Sequence, residues 1–393
     1  MYIQYITNIV IILIQKGLEG KKMREPRILI FAVPENSREA NKKMEQFGCK
    51  LKFGEARWHI PGGDNEVEME DFSREADALV GTSIRSSPIT RRVLEANPNL
   101  RVIAKCTVGT DDIDVEAATE LGILVCHAPT ESNCWGVAEG TVSMILTKLK
   151  QQRERDRAIK QGKWKNEEHY GTYLGQRLSD GYPGITLGLI GLGRIGARVA
   201  QLFAPWNFKI LAHDPYIEDE RFLRNGTIKT NMDRLLEKSD VVSLHCVNNA
   251  ETRNLINDTS FKKMKSTALF VNTSRGKNVD EQALIHALQN DIIAGACLDA
   301  FWDEPIADDS PFRSMGDKVL LSGHMISYNH NSGLGPGYAW ATDAVIQALA
   351  GEIPNNVFNP EVIERWTKRF GKKSILPTNT APPNHPGYGP PQI

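Results

Sequence analysis

Apolar residues in this chain fall into short runs separated by stretches with helical spacing. The first run is Arg27 to Val33, and others follow at Ala78 to Val80, Arg101 to Lys105 and Ile123 to Cys126. Runs of this length, bounded by polar segments, predict strands buried on both faces. Ser37 to Phe47 predicts a helix, with Ser37 in the N-capping position and Glu39 in the first turn. Residues 136 to 161 predict one long helix. Its alternating charges, Arg153-Glu-Arg-Asp-Arg157, suit a solvated crossover between domains.

A second series of strands is predicted at Ile185 to Ile190, Lys209 to His213, Val241 to His245, Thr267 to Val271, Ala294 to Asp299 and Val319 to Ser322. Helical patterns separate most of them, so the units are βαβ and the sheet is parallel. A helix at Tyr338 to Leu349 would return the chain to the first domain. Both ends read differently. Ile3 to Ile14 is apolar but is interrupted by Gln4 and Asn8, too short to span a bilayer, which takes about 20 residues. Without a basic n-region or a small-residue cleavage site it is a weak match to a secretory signal, and residues 1–22 read as a doubtful leader before an alternative start at Met23. Beyond Leu376 stand 6 of the 20 prolines, which predicts an extended tail.

Composition narrows the classes. With 393 residues, two or three domains are expected, and 47 basic against 48 acidic residues leave a net charge of -1. No basic excess supports nucleic-acid binding, and nothing in the pattern suggests a membrane protein. Six cysteines without a C-x-x-C pair read as free thiols in a reducing compartment, hence a cytoplasmic location. The nine histidines form no ligand pattern, so no metal is expected.

One motif carries most of the chemistry. Gly191-Leu-Gly193-Arg194-Ile195-Gly196 follows an all-apolar strand, opens the amphipathic helix Ile195 to Phe203, and is followed by a strand ending at Asp214. Strand, glycine loop, helix and acidic residue together form the dinucleotide fingerprint. Gly191 permits the tight turn, Gly193 lets backbone N–H groups approach a pyrophosphate, and Gly196 lets the helix pack closely. Asp214 would accept from ribose hydroxyls and repel a 2'-phosphate, favouring NAD over NADP. Three further islands each follow a predicted strand, at the carboxyl edge where open α/β sheets bind ligands. They are Asn272-Thr-Ser-Arg275-Gly276, Leu298-Asp299-Ala-Phe-Trp-Asp-Glu304-Pro305 and Ser322-Gly-His324.

With these islands and Val108-Gly109-Thr-Asp-Asp-Ile-Asp114, Gly122-Ile-Leu-Val, Val137-Ala-Glu139, Gly162-Lys-Trp164 and Asp240-Val-Val-Ser-Leu-His245, the sequence resembles the D-isomer-specific 2-hydroxyacid dehydrogenase family. That family includes D-lactate dehydrogenase, phosphoglycerate dehydrogenase, and glyoxylate or hydroxypyruvate reductase. The resemblance runs from about Ala78 to Pro360 and implies an α/β fold in which a Rossmann NAD-binding domain is inserted into a flavodoxin-like substrate domain. The implied divisions are 23–126 for the first part of the substrate domain, 127–326 for the NAD-binding domain, 327–370 for the return helix and 371–393 for the proline-rich tail. A homodimer through the cofactor domains is implied as well.

The resemblance also implies roles. Arg275 would grip the substrate carboxylate and its 2-oxo oxygen, suiting a planar cation that keeps its proton, and N–H groups around Val108 and Gly109 would hold the carboxylate. His324 would be the acid and base, with Glu304 orienting the imidazole and favouring its protonated form. Asp299 would anchor the nicotinamide, with Cys246, Val247, Thr252, Thr273 and Ser274 also on the cofactor, while His245 is structural. Arg85 matches a position that can meet a distal substrate group, and Trp135 could narrow the pocket instead.

Three positions depart from the family pattern: Gly323 stands where Pro is common, Asn278 where an aliphatic residue is usual, and Val247-Asn248 where a loop with Pro is typical. They put substrate preference in doubt. The leading expectation is an NAD-dependent oxidoreductase on a small 2-oxo or 2-hydroxy acid. Alternatives are formate or phosphite oxidation on the same fold, where formate dehydrogenases carry Gln in place of Glu304, and an NAD(H)-sensing corepressor of the C-terminal-binding-protein type.

Overall fold

The structure, a computed structural model, describes residues 24–32, 37–55, 65–82, 88–207, 209–330, 334–377 and 382. The N-terminal apolar stretch, Met23, Arg85 and the tail beyond Pro377 apart from Pro382 lie outside the described residues. The chain divides into two compact units, one running to Thr130 and resuming at Leu334, the other starting at Glu131 and lying between.

The first unit is built on a parallel sheet of β1 (Arg27–Phe31), β2 (Lys50–Phe53), β3 (Ala78–Gly81), β4 (Val102–Lys105) and β5 (Leu124–Cys126), in the order β2-β1-β3-β4-β5. This is the flavodoxin-like order. Alternation along β1 sends Ile28 and Ile30 into one core with Val345, Ile346 and Trp366. Leu29 and Phe31 enter another with Val93 and Ala117. Both faces are therefore covered, and the helix Gly335–Leu349 belongs to this unit. Leu376 is buried in the same core, so the tail segment begins as packed structure. Ser37 does occupy the N-cap of the helix Arg38–Gln46, but its side chain makes no capping bond.

The second unit holds β6 (Thr186–Ile190), β7 (Lys209–His213), β8 (Ile228–Lys229), β9 (Val241–Leu244), β10 (Leu269–Asn272), β11 (Gly295–Leu298) and β12 (Val319–Leu321). All are parallel, in the order β12-β11-β10-β9-β6-β7-β8. The strand order reverses between β6 and β9, which makes the carboxyl ends of that pair the topological switch point of a Rossmann sheet.

The long helix expected over 136–161 is two helices, Glu131–Leu149 and Gln152–Lys160, broken where Gln151 takes φ +48°. The charged segment is largely solvated, with Arg155, Asp156 and Arg157 exposed, but it lies within the second unit and is no crossover between units. Arg153 and Arg157 both pair with Asp317, and Glu154 is buried beside Lys148 at 3.2 Å, all within the second unit. Opposite charges found partners on their own unit, which sequence alternation alone does not reveal.

Candidate active site

The glycine loop, Asp214 and the three islands each lie just beyond a strand's carboxyl end, whereas Trp135 sits in the helix Glu131–Leu149. After β6, Gly191 takes φ +90°, and a Cβ there would come within 3.0 Å of the His245 carbonyl group. A Cβ on Gly196 would sit 2.2 Å from the Gly191 carbonyl oxygen, so only glycine lets the helix approach its own loop. Gly193, the N-cap of the helix Arg194–Phe203, differs: a Cβ there would meet nothing within 4 Å. Its surroundings are open at the start of the helix, beside Arg194 and Ile195, where first-turn N–H groups have no intrahelical acceptor.

Asp214 closes this loop from β7. Its Oδ2 accepts from the Leu192 N–H at 2.9 Å and its Oδ1 from the Tyr216 N–H at 3.1 Å. Each carboxylate oxygen keeps a lone pair for a further donor. After β9 come Cys246, its thiol pushed up to about 11 by burial, and the exposed Val247, whose carbonyl accepts from the Thr252 hydroxyl at 2.7 Å. An open glycine loop, a helix N-terminus and a doubly anchored carboxylate fit a dinucleotide.

The loop after β10 is bracketed by Asn272. Its side-chain oxygen accepts from the Ser274 N–H at 3.0 Å and hydroxyl at 2.9 Å, while its amide donates to the Arg275 carbonyl at 3.0 Å. Thr273 is fixed by a 2.9 Å contact with the Thr141 hydroxyl. Arg275 Nη1 donates to the Ser274 carbonyl at 2.9 Å. The next residue, Gly276, packs so tightly that a Cβ would lie 1.9 Å from the carbonyl carbon of Phe301. This ties the arginine loop to the segment that carries Glu304.

Beyond β11, buried Asp299 accepts from the N–H groups of Met325 (3.0 Å) and Ile326 (3.3 Å), and its carbonyl takes the His324 N–H at 2.9 Å. Burial pushes its carboxyl up, against the opposing pull of His324, the Ser322 hydroxyl and those two N–H groups. Glu304 Oε1 accepts from the Phe301 N–H at 2.9 Å, and its Oε2 lies 2.8 Å from His324 Nδ1. The carboxylate side chain is 19% exposed and the imidazole 39%, so the histidine is the member that reaches outward. His324 holds φ +56°, a strained backbone for a non-glycine residue of the kind that collects at functional sites. Both the backbone and the ring of His324 are thus anchored.

Thus Arg275, Glu304 and His324 occupy adjoining loops of one sheet edge, with Glu304 and His324 in contact. In the first unit, Val108 and Gly109 lie in the turn after β4, where the Val108 carbonyl faces His127 Nδ1 at 3.2 Å. His245, with its Nε2 2.9 Å from the Ser243 hydroxyl, is pushed down to about 4 by burial and stays neutral. Sequence reading passed over Asn272, whose position at a strand end was the available signal. It also noted Asn278 only as a departure. Asn278 is buried and donates to the Cys246 carbonyl at 3.1 Å, joining two loops of the sheet edge.

Comparisons with known proteins agree with this fold. A model of the D-isomer specific 2-hydroxyacid dehydrogenase NAD binding domain matches residues 142–325. A glyoxylate reductase from Korarchaeum cryptofilum is 38% identical over 344 residues, covering 86% of this chain and 98% of that one. A D-3-phosphoglycerate dehydrogenase from Synechocystis is 34% identical over 72% of this chain, which spans 49% of that relative. Among solved structures, D-lactate dehydrogenase from Aquifex aeolicus, complexed with NAD and lactic acid, superposes with TM-score 0.70 at 28% identity, covering 84% of this chain and 98% of that one. Among the described residues no helix is long and apolar enough to cross a membrane. The chain belongs to the D-isomer-specific 2-hydroxyacid dehydrogenase family, as an NAD-dependent enzyme.

Proposed function

We propose that the enzyme interconverts a small 2-oxo acid, of the size of glyoxylate or hydroxypyruvate, and its D-2-hydroxy acid, using Arg275, Glu304 and His324. The observation that carries this reading is the 2.8 Å contact between His324 Nδ1 and Glu304 Oε2 at the sheet edge, one loop away from Arg275. Bound NADH supplies the hydride for C2. Arg275 holds the carboxylate and the oxo oxygen with paired donors, and the N–H groups around Val108 and Gly109 serve the same carboxylate. His324 gives its Nε2 proton to the oxygen as negative charge builds there, and takes it back in the reverse direction. Glu304 keeps the ring oriented through its contact with Nδ1. Asp299 serves the nicotinamide end, while Gly191, Gly193, Gly196 and Asp214 serve the pyrophosphate and ribose, supported by the open space at Gly193. The second unit then acts as the NAD-binding domain and the first as the substrate domain. A homodimer and a cytoplasmic setting belong to the same reading, the latter supported by six free thiols.

The small-acid assignment draws on similarity: the glyoxylate reductase is 38% identical to this chain and the phosphoglycerate dehydrogenase 34%. The test is NADH absorbance with glyoxylate, hydroxypyruvate, pyruvate and phosphohydroxypyruvate, and NAD reduction with formate and phosphite. Turnover of a small oxo acid is expected. Turnover only with formate or phosphite, or NADH binding with no turnover at all, would overturn the reading, the second outcome pointing to a sensor.

A further inference from the structure

Lys105 ends β4 and Asp112 lies at the far end of the turn that carries Val108 and Gly109. Their side chains are 0% and 2% exposed and form an ion pair. The Lys105 ammonium also donates to the Thr82 carbonyl at 2.6 Å and lies 5.2 Å above the Phe31 ring. It therefore joins the carboxyl ends of β1, β3 and β4, which include the switch point of a flavodoxin-like sheet.

Stability does not account for this pair. Burial pushes the Lys105 ammonium down and the Asp112 carboxyl up, so the surroundings oppose both charges. Well-packed apolar residues commonly replace such a pair at no loss of stability, and the rest of β4, Val102, Ile103 and Ala104, is already apolar. What an ion pair with hydrogen-bond geometry adds over an apolar contact is direction. The turn is pinned at both ends around it. Cys106 N–H donates to the Gly81 carbonyl at 2.8 Å, and the Cys106 carbonyl abuts Gly337, where a Cβ would come within 2.0 Å. On the far side, the Asp112 carbonyl accepts from the Ile89 N–H at 2.8 Å, and Asp114 caps the helix Val115–Leu121 through the Ala117 N–H at 2.8 Å.

We propose that Lys105 and Asp112 are positioning residues for the substrate: their buried pair fixes the turn that presents the N–H groups of Val108 and Gly109, and so sets affinity for the substrate carboxylate without touching it. The inference rests on the assignment of that turn to the carboxylate. Lys105 has no exposed surface and acts through the turn alone.

The decisive variant is Lys105→Met/Asp112→Leu, which removes both charges and leaves neither orphaned. Its unfolding midpoint is expected near the parent's. Its KM for the oxo acid is expected to rise roughly tenfold or more, the scale of a lost charge-assisted hydrogen bond, with the Kd for NADH, read by fluorescence titration, within about twofold of the parent's on the same scale. Asp112→Asn supplies a second reading, since it keeps shape and an acceptor while removing the charge; a severalfold rise in KM is expected. An unchanged KM in either folded variant overturns the proposal, as does a rise in KM matched by an equal loss of NADH affinity. Gly109→Pro, which deletes one N–H of the turn, is measured alongside. If it leaves KM unchanged, the carboxylate assignment fails; if it raises KM while the paired variants do not, only the positioning role fails.

Discussion

His324 gives its Nδ1 to Glu304, so in the proposed mechanism Nε2 is the ring nitrogen that exchanges a proton with substrate. Replacing it by Ala removes the acid while leaving the glycine loop and Asp214, which lie on other strands, as they are. Turnover of the oxo acid should fall by roughly 10² to 10⁴, the usual worth of a positioned acid, with NADH affinity retained; near-parent turnover would remove His324 from the mechanism. Asp214→Ala should relax the preference for NAD over NADP, because the carboxylate anchored on Leu192 and Tyr216 is the group that would repel a 2'-phosphate. An unchanged ratio of the two kcat/KM values would contradict that role. These residues were legible because each follows an apolar run directly, so strand prediction and residue type together locate them. Lys105, Asp112 and Asn278 were not, since what distinguishes them is complete burial with a partner, and no spacing along the chain encodes that.

Among the elements, the interior strands and the edge strands β5 and β12 were legible, whereas the edge strands β2 and β8 were not. Lys50–Phe53 is mostly exposed, and Ile228–Lys229 is two exposed residues, so neither shows the apolar run that marks a central strand. The break at Gln151 had no Gly or Pro to announce it. The capping box of Asn65 with Glu68 was present in the sequence as a spacing and went unused. Element contacts also generate a prediction. Gly276→Ala would drive a Cβ into the backbone of Phe301, whose N–H anchors Glu304, so the arginine loop and the glutamate segment must separate. A loss of about 1–3 kcal/mol, the usual scale of overpacking, should appear in denaturant unfolding together with a collapse of turnover. Gly323→Ala is the matched control, because its Cβ meets nothing within 4 Å and stability should be close to the parent's. Equal stabilities for the two variants would refute the packing argument.

For the molecule as a whole, a net charge of -1 leaves little general repulsion near neutral pH, before the carboxylates begin to protonate. In the proposed function, anion binding is supplied locally, at a helix N-terminus and at Arg275, so no global basic excess is needed. The pH dependence of stability should instead follow particular buried groups, and His245 has the clearest sign. Its native value is about 4, against about 6.5 for an exposed histidine. Between those values the unfolded chain binds a proton that the native chain does not, so stability rises with pH across this window. The contribution is fully present above about pH 6.5 and is lost as pH falls toward 4; a depression of that size corresponds to about 3 kcal/mol. Buried carboxyls pushed upward, Asp77 and Asp299 among them, act in the opposite sense, so the parent's slope alone does not isolate the histidine. The difference between the parent and His245→Gln does. Urea unfolding of both proteins without cofactor at pH 7, 6, 5 and 4.5 should show the variant losing less stability on acidification, with the gap opening only below about pH 6.5. Parallel curves would mean that His245 is not held neutral by burial, and the acid sensitivity would then belong to other groups.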